Sequence, residues 1–273
     1  MELSVHVLGP VRLERDRCCV QLSGQARVVL AALALRHGRP VSRQELADAL
    51  WPGLAPRSSR VQVQGLVSGL RRLLDCAGAC APDCRISTDP AGYVLRPGPG
   101  ELDLDRFEAL ATAGAAARIR GEAEPARRYY GEALACWSGP PCADLDSPFV
   151  RELAEPLQQR HADVLEEWAE AALLTGRTAG LTGQLAAALT EHPFRERLRE
   201  LLMRSLARAG RGAEALGVYE RGRRLLADQL GVDPSPQLQQ LYLDLLSGLL
   251  DEARAASRER ITAGGASWRR PSA

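Results

Sequence analysis

The chain has 273 residues, 45% of them hydrophobic, and its 35 basic and 34 acidic side chains leave a net charge of +1, the balance of a globular protein with room for two domains. No apolar run approaches the ~20 residues that cross a bilayer, and the first residues, MELSVHVLGPVRLERD, lack a secretory leader's pattern, so a cytoplasmic protein is expected. All 35 basic residues are arginine, which excludes a phosphate-loop lysine, a Schiff-base lysine and a lysine-dependent kinase site.

The charge is unevenly spread. Residues 1–98 hold 13 arginines against 8 acids, a balance of +5, whereas residues 99–273 hold 22 against 26, a balance of −4. A polyanion is therefore expected to meet the front of the chain.

Residues 3–22 alternate as short strands around the charged turn ERDR, and Gly9-Pro10 breaks the first run. Gln25 to His37 follows as a helix with Val28, Val29, Leu30, Leu33 and Ala34 inward. Ser42 and Glu45 form a capping box for a second helix that stops at Pro52. The loop PGLAPRSS leads to a third helix, RVQVQGLVSGLRRLLD, and CRISTDPAGYVLRP then reads as a hairpin about Asp89-Pro90-Ala91-Gly92. Strands, three helices and a hairpin, in that order, are a winged helix preceded by a small sheet.

The third helix has a question attached. Val63, Leu66, Val67, Leu70, Leu73 and Leu74 make one apolar stripe, while the opposite side carries Val61, Gly65, Ser68 and Arg72 with Gln64 and Gly69 beside them. Each interior glycine costs about 1 kcal/mol relative to alanine. A slim outward face suits a major groove about 12 Å wide, where Arg71 and Arg72 can reach guanine or phosphate, Gln64 adenine and Val61 a thymine methyl. Arg57 and Arg60, at the helix N-terminus, suit phosphates. The competing reading is a packing helix whose glycines fit a neighbour.

PGPGELD at 97–103 reads as a linker, placing a domain at 1–97, a linker at 98–102 and a second domain at 103–250. The second domain is expected as helices over 103–119, 123–137, 149–175, 178–191, 194–209, 212–229 and 235–250. Gly176-Arg177 recurs as Gly210-Arg211, an offset of 34 residues, the tetratricopeptide period. After the second pair, Ala213, Ala215, Leu216 and Tyr219 stand where such repeats pack small residues against large. Residues 251–273 lose apolar periodicity and are expected to be disordered.

Other chemistry finds little support. His6, His37, His161 and His192 fall in no HExxH or triad string, and Tyr129, Tyr130, Trp137 and Trp168 sit at helical core spacing. Arg221, Arg223 and Arg224 are expected on a solvated face paired with acids such as Glu220 and Asp228. Cys76, Cys80 and Cys84 recur every fourth residue; idle loop thiols are the preferred reading over a metal or redox site. No catalysis and no cofactor are expected.

LGPVRL, ELADALWPG, VSGLRRLL and ISTDPAGYVL together resemble the OmpR-type winged helix at the front of the Streptomyces antibiotic regulatory protein family. ELDLDRFEAL, YYGEALACWSGPPCADL and EHPFRERLRELLMRSLARAGRGAEALGVYERGRRLLADQLGVDPSPQLQQLY resemble that family's bacterial transcriptional activation domain. The resemblance runs from about residue 3 to 247. It implies a mainly α protein with a small β component: a winged helix-turn-helix, akin to a two-component output domain, followed by an all-α tetratricopeptide-like repeat domain. It implies a pathway-specific activator of a secondary-metabolite cluster that binds direct repeats of double-stranded DNA as a homodimer and recruits RNA polymerase with its sigma factor, a nucleoid-associated role. The residues expected on DNA are Arg60, Val61, Gln62, Gln64, Gly65, Ser68, Arg71 and Arg72 on the recognition helix. Thr88, Gly92 and Tyr93 match the family's wing, with Arg96 beside them and Arg43 and Arg57 on the backbone. The loop with Trp51, Pro52, Leu54 and Arg57 is the implied polymerase contact. Gly69, Val61 and Gln62 depart from the family's polar or arginine side chain, asparagine and threonine, which bears on the target sequence. The rival readings are a repeat adaptor that binds no DNA and a thiol- or metal-responsive regulator.

Overall fold

The computed structural model describes residues 3–74 and 85–248. Three short strands, β1 (Leu3–His6), β2 (Arg12–Arg15) and β3 (Cys18–Val20), pair antiparallel in chain order. The register sets Val5 opposite Leu13 and His6 opposite Arg12. Period-two alternation then buries Leu3, Val5 and Leu13 on one face and leaves Ser4, His6 and Glu14 half-exposed on the other. Asp16 and Arg17 turn β2 into β3 with φ of 49° and 65°, as a two-residue hairpin requires.

Helix α1 (Gly24–Leu35) starts at Ser23, whose hydroxyl accepts from the Ala26 amide at 3.2 Å. Its residues Val29 to Ala34 are all buried, making it the centre of the front core. The expected capping box opens α2 (Arg43–Leu50): the Glu45 amide donates to Ser42 Oγ at 3.1 Å and the Ser42 amide donates to Glu45 Oε2 at 2.8 Å. Helix α3 (Ser59–Leu74) and the hairpin β4 (Ile86–Asp89) with β5 (Gly92–Leu95) complete the winged helix, and a bridge from Val41 to Tyr93 adds a rung to the hairpin. Gly92 has φ +155°, and a Cβ there would press into the Val41 carbonyl.

Residues 98–102 are more firmly held than a linker composition suggests. The Val5 amide donates to the Glu101 carbonyl at 2.6 Å, Arg85 Nε donates to the Glu101 carboxylate at 2.7 Å, and Leu102 is fully buried. Helices α4 (Asp103–Ile119) and α5 (Ala123–Leu134) pack together with Gly114 seated on the Tyr130 ring, where a Cβ would come within 2.7 Å. Trp137 lies past the end of α5, half-buried and edge-on to Phe107 with centroids 5.4 Å apart, and the half-buried His161 ring sits 4.5 Å from it.

The chain divides after Trp168 into two compact units, a point inside α6 (Pro148–Thr175). In the second, α7 (Leu181–Glu191), α8 (Glu196–Arg208) and α9 (Gly212–Leu230) pack in succession, followed by a helix α10 over residues 236–248. Gly176 and Gly210 take φ of 70° and 73° just past α6 and α8, the left-handed turn that ends a repeat helix. Helix α7 starts three residues later than periodicity suggests, because left-handed Gly180 cannot join it. The small-on-large packing of α9 uses Gly212, Ala215, Val218 and Tyr219, with Tyr219 stacked on Tyr242 at 4.2 Å; Ala213 is exposed and takes no part.

Candidate nucleic-acid interface

Helix α3 buries Val63, Val67, Leu70 and Leu74 against the front core and presents its other side outward. Arg60, Val61, Gln62, Gln64, Gly65, Ser68 and Arg72 are exposed, and Val61 keeps 69% of its surface open. A Cβ at Gly65 or Gly69 would meet nothing within 4 Å. The packing explanation for the glycines therefore fails among the described residues: both face open space.

The cations of this face divide into two kinds. Arg57, Arg60 and Arg72 are exposed and have no ion-pair or hydrogen-bond partner among the described residues. Arg71 is engaged: its Nε donates to the Ile86 carbonyl and its Nη2 to Thr88 Oγ1, both at 2.8 Å, and its guanidinium lies 5.8 Å from the Tyr93 ring centre. Arg43 lies 5.6 Å from the same centre, so the two guanidiniums share one aromatic ring. Gln62 Nε2 donates to Ser58 Oγ at 2.8 Å and is thereby turned along its own helix.

Three of the expected DNA-touching residues are engaged within the fold. Tyr93 is 4% exposed and Gly92 is buried, because the ring lies inside the hairpin and Gly92 abuts the Val41 backbone; neither is a surface contact. Arg71 links α3 to the wing through its bonds to Ile86 and Thr88. Its position was legible in part: it follows Val67 by four residues and precedes Leu74 by three, on the margin of the buried stripe. Thr88 is exposed but receives Arg71, and Arg96 donates to Ser87 Oγ across the hairpin. The loop before α3 holds Trp51 half-buried, its amide bonded to the Ala47 carbonyl at 2.8 Å, while Pro52 and Arg57 are exposed and Leu54 is 89% open.

Several supports of this site were not singled out by the sequence. Arg36 bonds the Glu45 carboxylate at 2.6 Å; burial pushes that carboxyl up, but the hydrogen bonds from Ser42 and Arg36 outweigh it and hold it below the usual glutamate range. The Asp103 carboxylate, at the first residue of α4, accepts from the Val7 and Leu8 amides at 2.9 and 3.0 Å. Ser147 Oγ donates to the Ala49 carbonyl at 2.8 Å, and Asp144 accepts from Arg27 and from the Val11 amide. Apart from those made by Glu45, these pairings join residues 95 to 133 positions apart and leave no local pattern.

The proposed thiol site at Cys76, Cys80 and Cys84 lies outside the described residues. Among the described residues, no group of three histidine, cysteine or acidic side chains could hold a metal ion. Cys18 and Cys19 are exposed on β3, and burial pushes the Cys142 thiol up to about 12, where it is inert. His37 is tied to Asp105 at 2.8 Å and to the Ala34 carbonyl. Arg223 pairs with Glu220 at 3.1 Å on an exposed face, as expected for that cluster. No described helix is long and apolar enough to cross a membrane.

A winged helix with an open recognition helix, joined to helical repeats, defines a class of transcriptional regulators, and comparison with known proteins agrees. Residues 102–246 match the family described as bacterial transcriptional activator domain, and residues 16–95 match that described as transcriptional regulatory protein, C terminal. The chain is 41% identical over 94% of its length to regulatory protein AfsR of Streptomyces coelicolor, of which it covers 26%, and 33% identical to regulatory protein DnrI of Streptomyces peucetius, of which it covers 92%. A solved structure of Mycobacterium tuberculosis EmbR in complex with a low affinity phosphopeptide superposes with a TM-score of 0.82 at 34% identity, covering 96% of this chain and 70% of that one. The chain thus spans about a quarter of the AfsR relative's length and nearly all of DnrI's. It belongs to the Streptomyces antibiotic regulatory protein family, whose members carry an OmpR-type winged helix and a bacterial transcriptional activator domain.

Proposed function

We propose that this chain is a sequence-specific DNA-binding activator of a secondary-metabolite gene cluster. The observation that carries the reading is the outward side of α3, where Gly65 and Gly69 face open space between exposed Val61 and Arg72. A helix with side chains is about 10–12 Å across, so removing bulk from one side lets it settle in a groove about 12 Å wide. Arg72, Gln64 and Val61 then read base edges, while Arg57, Arg60 and Arg96 hold phosphates and set the register. Arg43, Arg71, Thr88, Gly92 and Tyr93 fix the angle between recognition helix and wing.

Two protomers on direct repeats, and recruitment of RNA polymerase and its sigma factor through the exposed Leu54 loop, complete the proposal. A DNA-binding domain over residues 1–97 and an activator domain over 103–250 belong to the same reading, and a cytoplasmic, nucleoid-associated location follows from the role. The test is footprinting upstream of the neighbouring genes across a salt series. A protected tandem site whose affinity falls steeply with salt supports the reading. Absence of binding to any of those promoters overturns it in favour of an adaptor.

A further inference from the structure

A second site lies away from the recognition helix. On the half-exposed face of β1 and β2, a cavity of about 260 Å³ is closed by the ends of α4 and α5. Arg12 from β2 and Arg106 from α4 stand exposed at its rim, and neither has an ion-pair or hydrogen-bond partner among the described residues. His6 Nε2 is buried in the same wall without a hydrogen bond. Its carboxylate neighbours stay beyond hydrogen-bond reach, Glu14 at 3.7 Å from Nε2 and Asp103 at 3.8 Å from Nδ1. A buried nitrogen without a hydrogen bond beside a cavity leaves a donor-acceptor position for an occupant.

The acids in the wall are already committed. Glu101 is bonded to Arg85, and Asp103 accepts the Val7 and Leu8 amides. The groups left to a ligand are two guanidiniums, an imidazole nitrogen that donates when protonated, and the Ser4 hydroxyl. The Ser138 hydroxyl donates to the Leu8 carbonyl and can still accept. Two guanidiniums free of partners among the described residues, one on the sheet and one on α4, fit an anion with several acceptor oxygens.

We propose that this cavity binds a small phosphate-bearing anion, bridging Arg12 of the N-terminal sheet to Arg106 of α4. The ligand links the sheet that buttresses the winged helix to the first helix of the activator domain, so its binding stiffens that joint. The volume admits orthophosphate or a small phosphate monoester.

Isothermal titration calorimetry of the full chain at constant ionic strength, with inorganic phosphate and separately with glycerol 3-phosphate, tests this. Saturable binding is expected for at least one probe, with a loss of tenfold or more in the Arg12→Gln/Arg106→Gln double variant. Orthophosphate alone binding identifies a sensor of free phosphate; tighter binding of the ester identifies a phosphorylated metabolite. Cys136 lines the cavity, so the ligand should slow its alkylation several-fold by peptide mass spectrometry while exposed Cys18 and Cys19 react unchanged. That readout uses the unaltered chain and decides the matter even if the double variant fails to fold. Heat from neither probe, equal binding by the double variant, or an alkylation rate at Cys136 indifferent to ligand overturns the proposal.

Discussion

Replacing each of two adjacent arginines with alanine separates reading from support on α3. Arg71→Ala removes two hydrogen bonds from a charged donor, to the Ile86 carbonyl and to Thr88 Oγ1, each 2.8 Å long. Bonds to charged groups contribute about 1.5–3 kcal/mol each when well formed, but the Thr88 bond is exposed and solvent screens it, so a total of about 2 kcal/mol is expected. For a chain of this size that lowers the melting temperature by about 4–8 °C. Arg72→Ala removes an exposed side chain without a partner among the described residues and should change stability by less than about 0.5 kcal/mol. Its loss should instead weaken DNA binding by about 1–3 kcal/mol, roughly 5- to 150-fold. Differential scanning calorimetry and a fluorescence anisotropy titration on the footprinted site measure the two quantities. Equal melting of Arg71→Ala and wild type, or Arg72→Ala binding as wild type does, would refute the division of labour.

The remaining expectations concern the same framework. Gly65→Ala should raise stability by about 0.5–1 kcal/mol, since the helix gains propensity and the new methyl meets nothing, whereas Gly65→Leu should fold normally yet weaken DNA binding at least tenfold. Gly92→Ala should cost several kcal/mol in a melt, because its Cβ presses on the Val41 backbone and cannot move away. Asp103→Ala leaves the Val7 and Leu8 amides without their acceptor and should cost about 2–4 kcal/mol by urea unfolding. The Arg85 hydrogen bond holds the Glu101 carboxyl below its ordinary value of 4.5, against burial that pushes it up. A depressed carboxyl stabilises the fold above the unfolded value, and that contribution falls away as pH drops from about 5 through the folded value. Arg85→Gln should therefore flatten the acid limb of the stability profile, and an unchanged limb would count against the pair.

Local rules were enough for most of the elements. The capping box at Ser42 and Glu45, the stripe from Val63 to Leu74, and the left-handed glycines at 176 and 210 each depend on neighbours within a few residues, so chain order alone displays them. The bareness of α3 was equally legible, as glycine spacing against an apolar stripe. Whether that side met solvent or another element depended on residues far along the chain, and the tertiary arrangement decided it. The same holds for Arg71 and Tyr93, which look like surface residues in a string and become strut and anvil once the hairpin folds onto α3. Residues 98–102, loose by composition, are fastened by bonds to Val5 and Arg85 that no local signal could announce. Periodicity records which side of an element is apolar; which partner covers it, and which cations stay free for a ligand, is settled only by contacts made across the fold.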